Sequence, residues 1–226
     1  VEPTKVTLYK DGIPWVYNGD FTNFDLSSTP FEIGGPVYGQ GGTFNGEMEE
    51  FKIYKKALSQ AEIREQMHLI NKQPDDGLVL YYQFNESVPD LVYDKIAQSH
   101  GLNGSGQLVV SNAVVATGVS DRVSVTTTGT TDFPKSGVKL KFSTSGGTNL
   151  PNGELVVSRL FTTPFGKPVT SGSISSHYWV LENWGTNQNF SGLSELTFLN
   201  SGIESTSAKL FGRQVYEFNS NIWGYN

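Results

Sequence analysis

Short runs of strand-forming residues, separated by turn signals, make up most of this chain and limit the folds open to it. From Lys5 to Tyr17, two alternating runs flank the dipeptide Asp11-Gly12. Asp-Gly between two such runs predicts a tight hairpin, because both turn positions need a positive φ. Gly, Ser, Thr and Asn are abundant, and only 17% of the residues are charged, against about 25% in average proteins. The sequence therefore predicts an all-β fold.

One segment predicts a helix. Ser59 and Glu62 have the spacing of a capping box, in which the hydroxyl and the carboxylate each bind a free backbone amide. Ile63, Met67 and Ile70 then recur on one helical face. We therefore expect one short helix at about residues 59–70.

The character of the sequence changes near residue 107, where Val, Ser, Thr and Gly begin to dominate and no helical period appears. The candidate strands of this second part are 107–110, 121–127, 137–143, 153–162, 176–183, 193–199 and 207–217. Short strands joined by turns are typical of a β-sandwich. We predict two domains, residues 1–104 and residues 105–226.

Charge and composition exclude several classes of function. The formal net charge is −6 with no basic stripe, so the sequence predicts neither nucleic-acid binding nor attraction to an anionic membrane surface. No apolar run approaches the roughly 20 residues needed to span a bilayer, so we expect no membrane insertion. The absence of cysteine removes disulfides, thiolate catalysis and cysteine-based zinc sites.

Four blocks within residues 5–66 resemble, in order and spacing, the C-terminal half of laminin-G/pentraxin-like (concanavalin A-like) domains of bacterial secreted proteins. The blocks are Leu8-Tyr9-Lys10-Asp11-Gly12, Phe31-Glu32-Ile33-Gly34, Phe44 to Tyr54, and Ala57 to Ile63. The resemblance implies a partial concanavalin-like jelly-roll sandwich, followed here by the second β-sandwich module. Because the N-terminal half of such a sandwich is missing, we expect the chain to begin inside a longer polypeptide, unless residues 77–104 supply the missing strands.

Two further stretches resemble parts of Bacteroidetes multidomain surface proteins. Residues 77–104 resemble a segment that opens or follows laminin-G-like domains, and residues 137–199 resemble another β module. The marks are Gly77 to Glu86, Tyr93-Asp94, His100 to Gly104, Pro151 to Arg159 and Tyr178 to Gly185. The resemblance implies an extracellular, cell-surface location, reached through type IX secretion. It also predicts that residues 78–84 pair beside the strand ending at Tyr54.

Trp15 and Tyr17 are the candidate ligand-binding residues. They share one face of a predicted strand next to a loop, and flat aromatic faces with polar edges stack well on sugar rings. Trp179, by contrast, lies in an apolar strand and is expected in a core. The expected partners are glycans or surface proteins, together with the remainder of the parent chain.

Glu49 and Asp94 are the candidate metal ligands. The resemblance implies that they match acidic positions of laminin-G domains, many of which bind calcium through carboxylate and carbonyl oxygens. No segment has the alternating oxygen spacing of a dedicated calcium loop. Calcium is thus the one cofactor considered, and the alternative is a structural carboxylate bonded to turn amides.

The sequence predicts no catalytic site. Glu47 and Glu49 face one side of a strand, as in some sandwich-fold glycosidases, but Met48 stands where those enzymes have an Asp. His68, His100 and His177 show no metal-binding or nucleophile motif. The leading hypothesis is a non-catalytic adhesion or stalk region, and the alternative is a carbohydrate-binding accessory region of a secreted polysaccharide-degrading enzyme. An enzyme in its own right is the third class.

Overall fold

The computed structural model describes residues 4–20, 31–35, 42–70, 76–88, 90–104, 106–144, 149–166 and 174–199, and the backbone of two short strands at 211–212 and 224–225. The described residues form many antiparallel strands and one short helix, which confirms the all-β class. Within the described residues, no helix has the length and hydropathy needed to span a bilayer.

The strands and the helix follow in chain order. They are β1 Lys5–Lys10, β2 Ile13–Asn18, β3 Phe51–Tyr54, α1 Gln60–Gln66, β4 Leu78–Tyr82, β5 Leu91–Val92, β6 Gly101–Leu102, β7 Gly118–Val125, β8 Gly129–Phe133, β9 Val138–Phe142, β10 Gly153–Leu160, β11 Tyr178–Asn183, β12 Leu193–Phe198, β13 Phe211–Gly212 and β14 Gly224–Tyr225.

Contacts within the chain define two compact units. The first contains Val1–Ile63 and Gln73–Ser111, and the second contains Arg64–Lys72 and Asn112–Asn226. The division therefore falls inside α1, and the segment Arg64–Lys72 groups with the second unit although it lies within the predicted domain 1–104. The cause of that grouping is the pair of backbone hydrogen bonds that join His68 and Ile70 to Ala116.

The described part of the first unit contains three two-stranded antiparallel pairs, β1–β2, β3–β4 and β5–β6. Asp11 and Gly12 have φ angles of 50° and 72°, which confirms the predicted hairpin turn. Phe51 on β3 lies opposite Tyr82 on β4. The prediction that residues 78–84 pair beside the strand ending at Tyr54 is thereby confirmed.

The sequence pattern predicts a short strand at residues 31–35 and a strand at residues 44–54 with a bulge at Glu49-Glu50, and both differ from the structure. The run from Phe44 to Tyr54 is a strand only from Phe51 onward, because Glu50 has a φ of 53° and interrupts the extended backbone. The irregularity of this strand lies between Ile53 and Tyr54 and not at the predicted position. Residues 31–35 form a bend instead of a strand, and Gly34 has a φ of 76° within it.

Helix α1 begins with the predicted capping box. The Ser59 amide and hydroxyl both donate to Glu62 Oε2, at 2.7 and 2.8 Å, and the Glu62 amide donates back to Ser59 Oγ at 3.2 Å. The helix ends at Gln66, earlier than predicted. It ends there because the chain beyond it forms a parallel bridge between Leu69 and Ala116 instead of another helical turn.

The second unit is a β-sandwich of two three-stranded sheets, ordered β11–β10–β7 and β12–β9–β8. Its core lies between the sheets, and strands of both sheets contribute buried side chains. These are Val125, Phe133, Val138, Leu140, Phe142, Leu155 and Val157, and Leu150, which precedes β10, joins them. Trp179 packs against this core and donates from its indole nitrogen to Ser136 O at 2.8 Å, so its expected core position is confirmed.

Two features of the second half were not predicted correctly. Residues 107–110 are exposed and form no strand. Strand β8 was missed, because Gly129-Thr-Thr-Asp has no apolar alternation before Phe133. The predicted strand 207–217 lies largely outside the described residues.

Candidate functional site

One face of the β1–β2 hairpin brings the predicted ligand-binding residues together with apolar neighbours. Trp15 lies opposite Leu8, Tyr17 lies opposite Val6, and Ile13 lies opposite Lys10. Directly opposed residues of an antiparallel pair project to the same side of the sheet, as do alternate residues of one strand. These six residues therefore form one surface, which we call the hairpin face.

The hairpin face is exposed to solvent. The exposed fractions are 57% for Trp15, 55% for Tyr17, 56% for Leu8 and 53% for Ile13. Single exposed apolar residues are common on proteins, but a contiguous apolar cluster is typical of a binding surface. The structure thus places Trp15 and Tyr17 side by side on an accessible platform, as expected for them.

The edge of β2 differs from its face. Gly19 N donates to Thr4 O at 3.0 Å, and antiparallel pairs alternate between hydrogen-bonded and non-hydrogen-bonded positions. Pro14, opposite Tyr9, therefore occupies a position whose nitrogen points away from β1, and proline has no amide hydrogen to offer there. A further strand would find this edge incomplete. The face is consequently better suited than the edge to contact a ligand.

Asp94, the first candidate metal ligand, serves as the centre of a loop. Its Oδ1 accepts hydrogen bonds from the amides of Tyr81 and Ile96, and its Oδ2 accepts from Ala97 and Ser99, all at 2.9–3.1 Å. The residue is only 2% exposed. Burial alone would raise the pKa of Asp94, but the four amides outweigh burial and hold it below its ordinary value.

The same loop encloses Tyr82 and His100. The Tyr82 hydroxyl donates to Ser99 O at 2.6 Å, and the Asp94 amide donates to His100 Nδ1 at 3.2 Å. His100 also packs edge-on against Tyr93, with ring centroids 5.1 Å apart. His100 thus has a structural part in the turn, as its position before a glycine suggests.

Glu49, the second candidate metal ligand, is half-buried, and its Oε1 has no hydrogen-bond partner within the described part of the chain. The adjacent Glu50 accepts a short hydrogen bond from the Tyr81 hydroxyl. Burial raises the pKa of Glu50, while the Tyr81 hydrogen bond and the charge of Lys52 oppose the rise. Tyr81 therefore connects Glu50, through its hydroxyl, with Asp94, through its amide.

The described residues contain no cluster of three or more His, Asp or Glu side chains able to hold a metal ion. A carboxylate has about four lone-pair sites, and the four amides occupy those of Asp94. An ion at Asp94 would have to displace some of these amides. The geometry favours the structural alternative for Asp94, and calcium stays a prediction.

The candidate catalytic residues occupy separate surroundings. Glu47 is exposed and precedes β3. His68 lies near Val114 and Glu182, His177 lies near Arg159, and His100 belongs to the Asp94 loop. The three histidines thus lie in three different surroundings within the described residues.

Leu8 and Ile13 belong to the hairpin face but were not predicted as site residues. A signal for them was present in the sequence. A two-residue Asp-Gly turn fixes the register, and that register places Leu8 opposite Trp15 and Ile13 two residues before it. Counting outward from the turn would have identified the complete face.

Comparisons with known proteins add no further constraint on this site. A scan of protein-family models, a search of curated proteins and a search of solved structures found no match to this chain.

Proposed function

We propose that this chain is a non-catalytic recognition region of a secreted, multidomain bacterial surface protein, and that it binds glycans through the hairpin face. It would act as an adhesin or stalk segment of the Bacteroidetes type, exported by the type IX route. The observation that carries the proposal is the exposure of Trp15 and Tyr17 together on one side of the hairpin.

The chemistry of the face suits a saccharide. Alternate residues of a strand lie roughly 7 Å apart, so Trp15 and Tyr17 can contact neighbouring rings of one chain. Sugar C–H groups pack on aromatic faces, while hydroxyls bind polar groups at the ring edges. Lys10, opposite Ile13 on the same face, and the Tyr17 hydroxyl provide such polar groups. The exposed side of the hairpin suits an extended polysaccharide better than a small molecule, which prefers a concave pocket.

The same surface supports the alternative, a carbohydrate-binding accessory region of a secreted polysaccharide-degrading enzyme. The two functions differ in the expected ligand. An accessory region would prefer the polysaccharide that its parent enzyme degrades, whereas an adhesin would prefer host or surface glycans, or a protein.

Calcium binding at Glu49 in the first unit is a further proposal. Its support is the buried Oε1 that lacks a partner, because an unpaired carboxylate oxygen in the interior is costly. The Asp94 oxygens would join only by giving up amide hydrogen bonds.

The test is a glycan array with the intact chain, followed by calorimetric titration of the best ligand against variants. Trp15→Ala and Tyr17→Ala should each weaken binding about tenfold, in proportion to the stacking lost. Val16→Ala is the matched control, because Val16 is 55% exposed on the same strand but on the other side of the hairpin. Its affinity should equal that of the unmodified chain.

Two outcomes would overturn the proposal. One is the absence of any glycan bound above background, and the other is unchanged affinity in both aromatic variants. Hydrolysis of a bound glycan by the isolated chain would instead support the third class, an enzyme.

A further inference from the structure

The sheet β11–β10–β7 has a second face, opposite the sandwich core. Leu155 and Val157 of β10 point into the core, so the alternate residues, including Leu160, project to the other side. Leu160 is fully buried there with Ala116 and Val180, and Leu69 packs against this small cluster. The segment Arg64–Ile70, which we call the strap, therefore covers apolar side chains of this face.

The strap is attached by two backbone hydrogen bonds. Ala116 N donates to His68 O at 3.1 Å, and Ile70 N donates to Ala116 O at 2.9 Å. These bonds accompany the parallel bridge between Leu69 and Ala116. Two hydrogen bonds hold a short segment weakly, so side-chain contacts contribute much of its attachment.

Charged side chains of the strap pair with other residues of the second unit, to which the strap itself belongs. Arg64 lies 3.4 Å from Glu154 and stacks over Trp184, with 4.1 Å between the guanidinium and the ring centroid. Glu65 lies 3.4 Å from Lys135 and 3.9 Å from Arg122. Arg122 also pairs with Glu154 at 2.8 Å.

His68 lies between two hydrogen-bond acceptors. Its Nδ1 is 2.7 Å from the carbonyl oxygen of Val114, and its Nε2 is 3.3 Å from Glu182 Oε1 on β11, an ion-pair distance without the alignment of a full hydrogen bond. A neutral imidazole has one N–H and one lone pair, so it can satisfy only one acceptor. An imidazolium donates from both nitrogens. The surroundings of His68 are therefore complementary to the protonated ring.

We propose that His68 is a pH-responsive latch, which in its protonated form fastens the strap to the sheet through Glu182. When the ring loses its proton, a lone pair of Nε2 faces the Glu182 carboxylate, and the strap is held less tightly. The apolar cluster around Leu160 then becomes transiently accessible.

The electrostatic balance agrees with this geometry. Burial opposes protonation of His68 and is the largest single effect, but the nearby Glu182 carboxylate and the Val114 carbonyl together raise the pKa of His68 above its ordinary value. A raised pKa means that the latch contributes fully below the unfolded-state pKa of about 6.5, and that this contribution is lost as pH rises through the folded-state pKa.

Among the described residues, the other charged groups that face the strap are carboxylates, lysine and arginine. They are Arg64 and Glu65 on the strap itself, Glu154 on β10, Arg122 on β7, Lys135 after β8 and Glu182 on β11. Carboxylates titrate near pH 4, and lysine and arginine titrate above pH 10. His68 is accordingly the group that confers pH dependence on this contact between pH 6 and pH 8.

The experiment is amide hydrogen exchange of the intact chain between pH 5.5 and pH 8.5, with rates corrected for intrinsic exchange. The amides of Ile70 and Ala116 report on the strap, and those of β10 report on the sheet in the same sample. Protection of the strap should fall about tenfold as pH rises, the scale of one charged hydrogen bond, while β10 stays unchanged. His68→Gln and Glu182→Gln should each abolish the pH dependence, and His177→Gln should leave it intact.

Equal strap protection at both pH values in the unmodified chain would overturn the proposal. So would a pH dependence that persists in His68→Gln. If that substitution weakens the fold, loss of β10 protection will reveal it. Glu182→Gln then decides, because the proposal requires its strap protection to be independent of pH.

Discussion

The two units of the chain achieve order by different means. The second unit buries a continuous apolar core between two sheets, in which Phe133, Leu140 and Leu155 have no exposed surface. In the described part of the first unit, the buried apolar residues are Leu78, Tyr81 and Tyr82. The first unit depends instead on polar groups that bind the backbone at its turns.

The two units therefore illustrate two sources of stability, a buried apolar core and polar side chains that bind the backbone. Each fully buried large apolar side chain contributes about 1.5–3 kcal/mol, and such contributions accumulate in a sandwich core. Asp94 instead holds a loop through four amide hydrogen bonds, and Glu62 holds the start of α1 through Ser59. The polar arrangement depends on charge and hence on pH, whereas the apolar core does not.

The largest expected effect is in the second core. Leu155→Ala should lower the free energy of unfolding of the second unit by about 2–5 kcal/mol, because it removes a fully buried side chain and leaves a cavity. Native-state hydrogen exchange of the β10 amides measures this change. Leu181→Ala, at a position 43% exposed on β11, is the control and should cost well under half as much. Similar losses in both variants would contradict the view that the buried core stabilises the second unit.

A smaller effect is expected from the polar centre of the first unit. Asp94→Asn should destabilise that unit by about 2 kcal/mol, because a carboxylate that accepts four amides is replaced by a group that presents an N–H to some of them. The thermal midpoint of the first unit, followed by NMR signals of the Asp94 loop, measures the change. Asp90→Asn, with an exposed side chain, should have almost no effect.

The same Asp94 measurement gives the pH dependence and tests calcium. The pKa of Asp94 is lowered on folding, so its stabilisation is present above the unfolded value of 3.8 and is lost as pH falls through the folded value. The unmodified chain should thus lose this contribution in acid, and Asp94→Asn should not.

Added calcium should raise the midpoint if an ion binds the folded first unit, and identical curves with calcium and with chelator would refute the calcium proposal.

The smallest effect concerns the start of α1. The pKa of Glu62 is lowered from 4.5 to about 2, first by the Ser59 amide, then by the Ser59 hydroxyl, with Lys56 also contributing. Ser59→Ala removes the hydroxyl but keeps the amide, so the pKa of Glu62 should rise part of the way toward 4.5. NMR titration of the Glu62 side chain measures it, with Glu47, which is exposed, as the internal reference. An unchanged Glu62 pKa would show that the hydroxyl contributes nothing.

Local chemistry made several elements predictable from the sequence. The Asp11-Gly12 turn and the Ser59–Glu62 capping box each depend on residues close together in the chain, and both are present. The pairing of β3 with β4 was also predicted, on the resemblance to laminin-G-like domains. Of the hairpin face, Trp15 and Tyr17 were identified because their aromatic character marks them directly.

Features that depend on distant partners were not predictable in the same way. The end of α1 at Gln66 depends on Ala116, and no periodicity near Gln66 indicates that partner. Residues 107–110 have strand-forming side chains but lie outside any sheet, because a strand also requires a neighbour with free amides and carbonyls. The structural role of Asp94 was predicted only as the alternative to calcium, because one of its four amide partners belongs to Tyr81 on β4 and the sequence does not show that contact.

Pro14 has a consequence for how this chain behaves at high concentration. A hairpin that displays tryptophan, tyrosine, leucine and isoleucine to water would ordinarily be a template for fibril growth, since its outer strand could recruit identical strands from other molecules. Proline interrupts that recruitment without altering the aromatic surface, because its ring removes one amide from the growing edge. On the β2 side, the hairpin can therefore remain adhesive toward a foreign ligand and yet resist the addition of further strands, a separation that depends on a single residue.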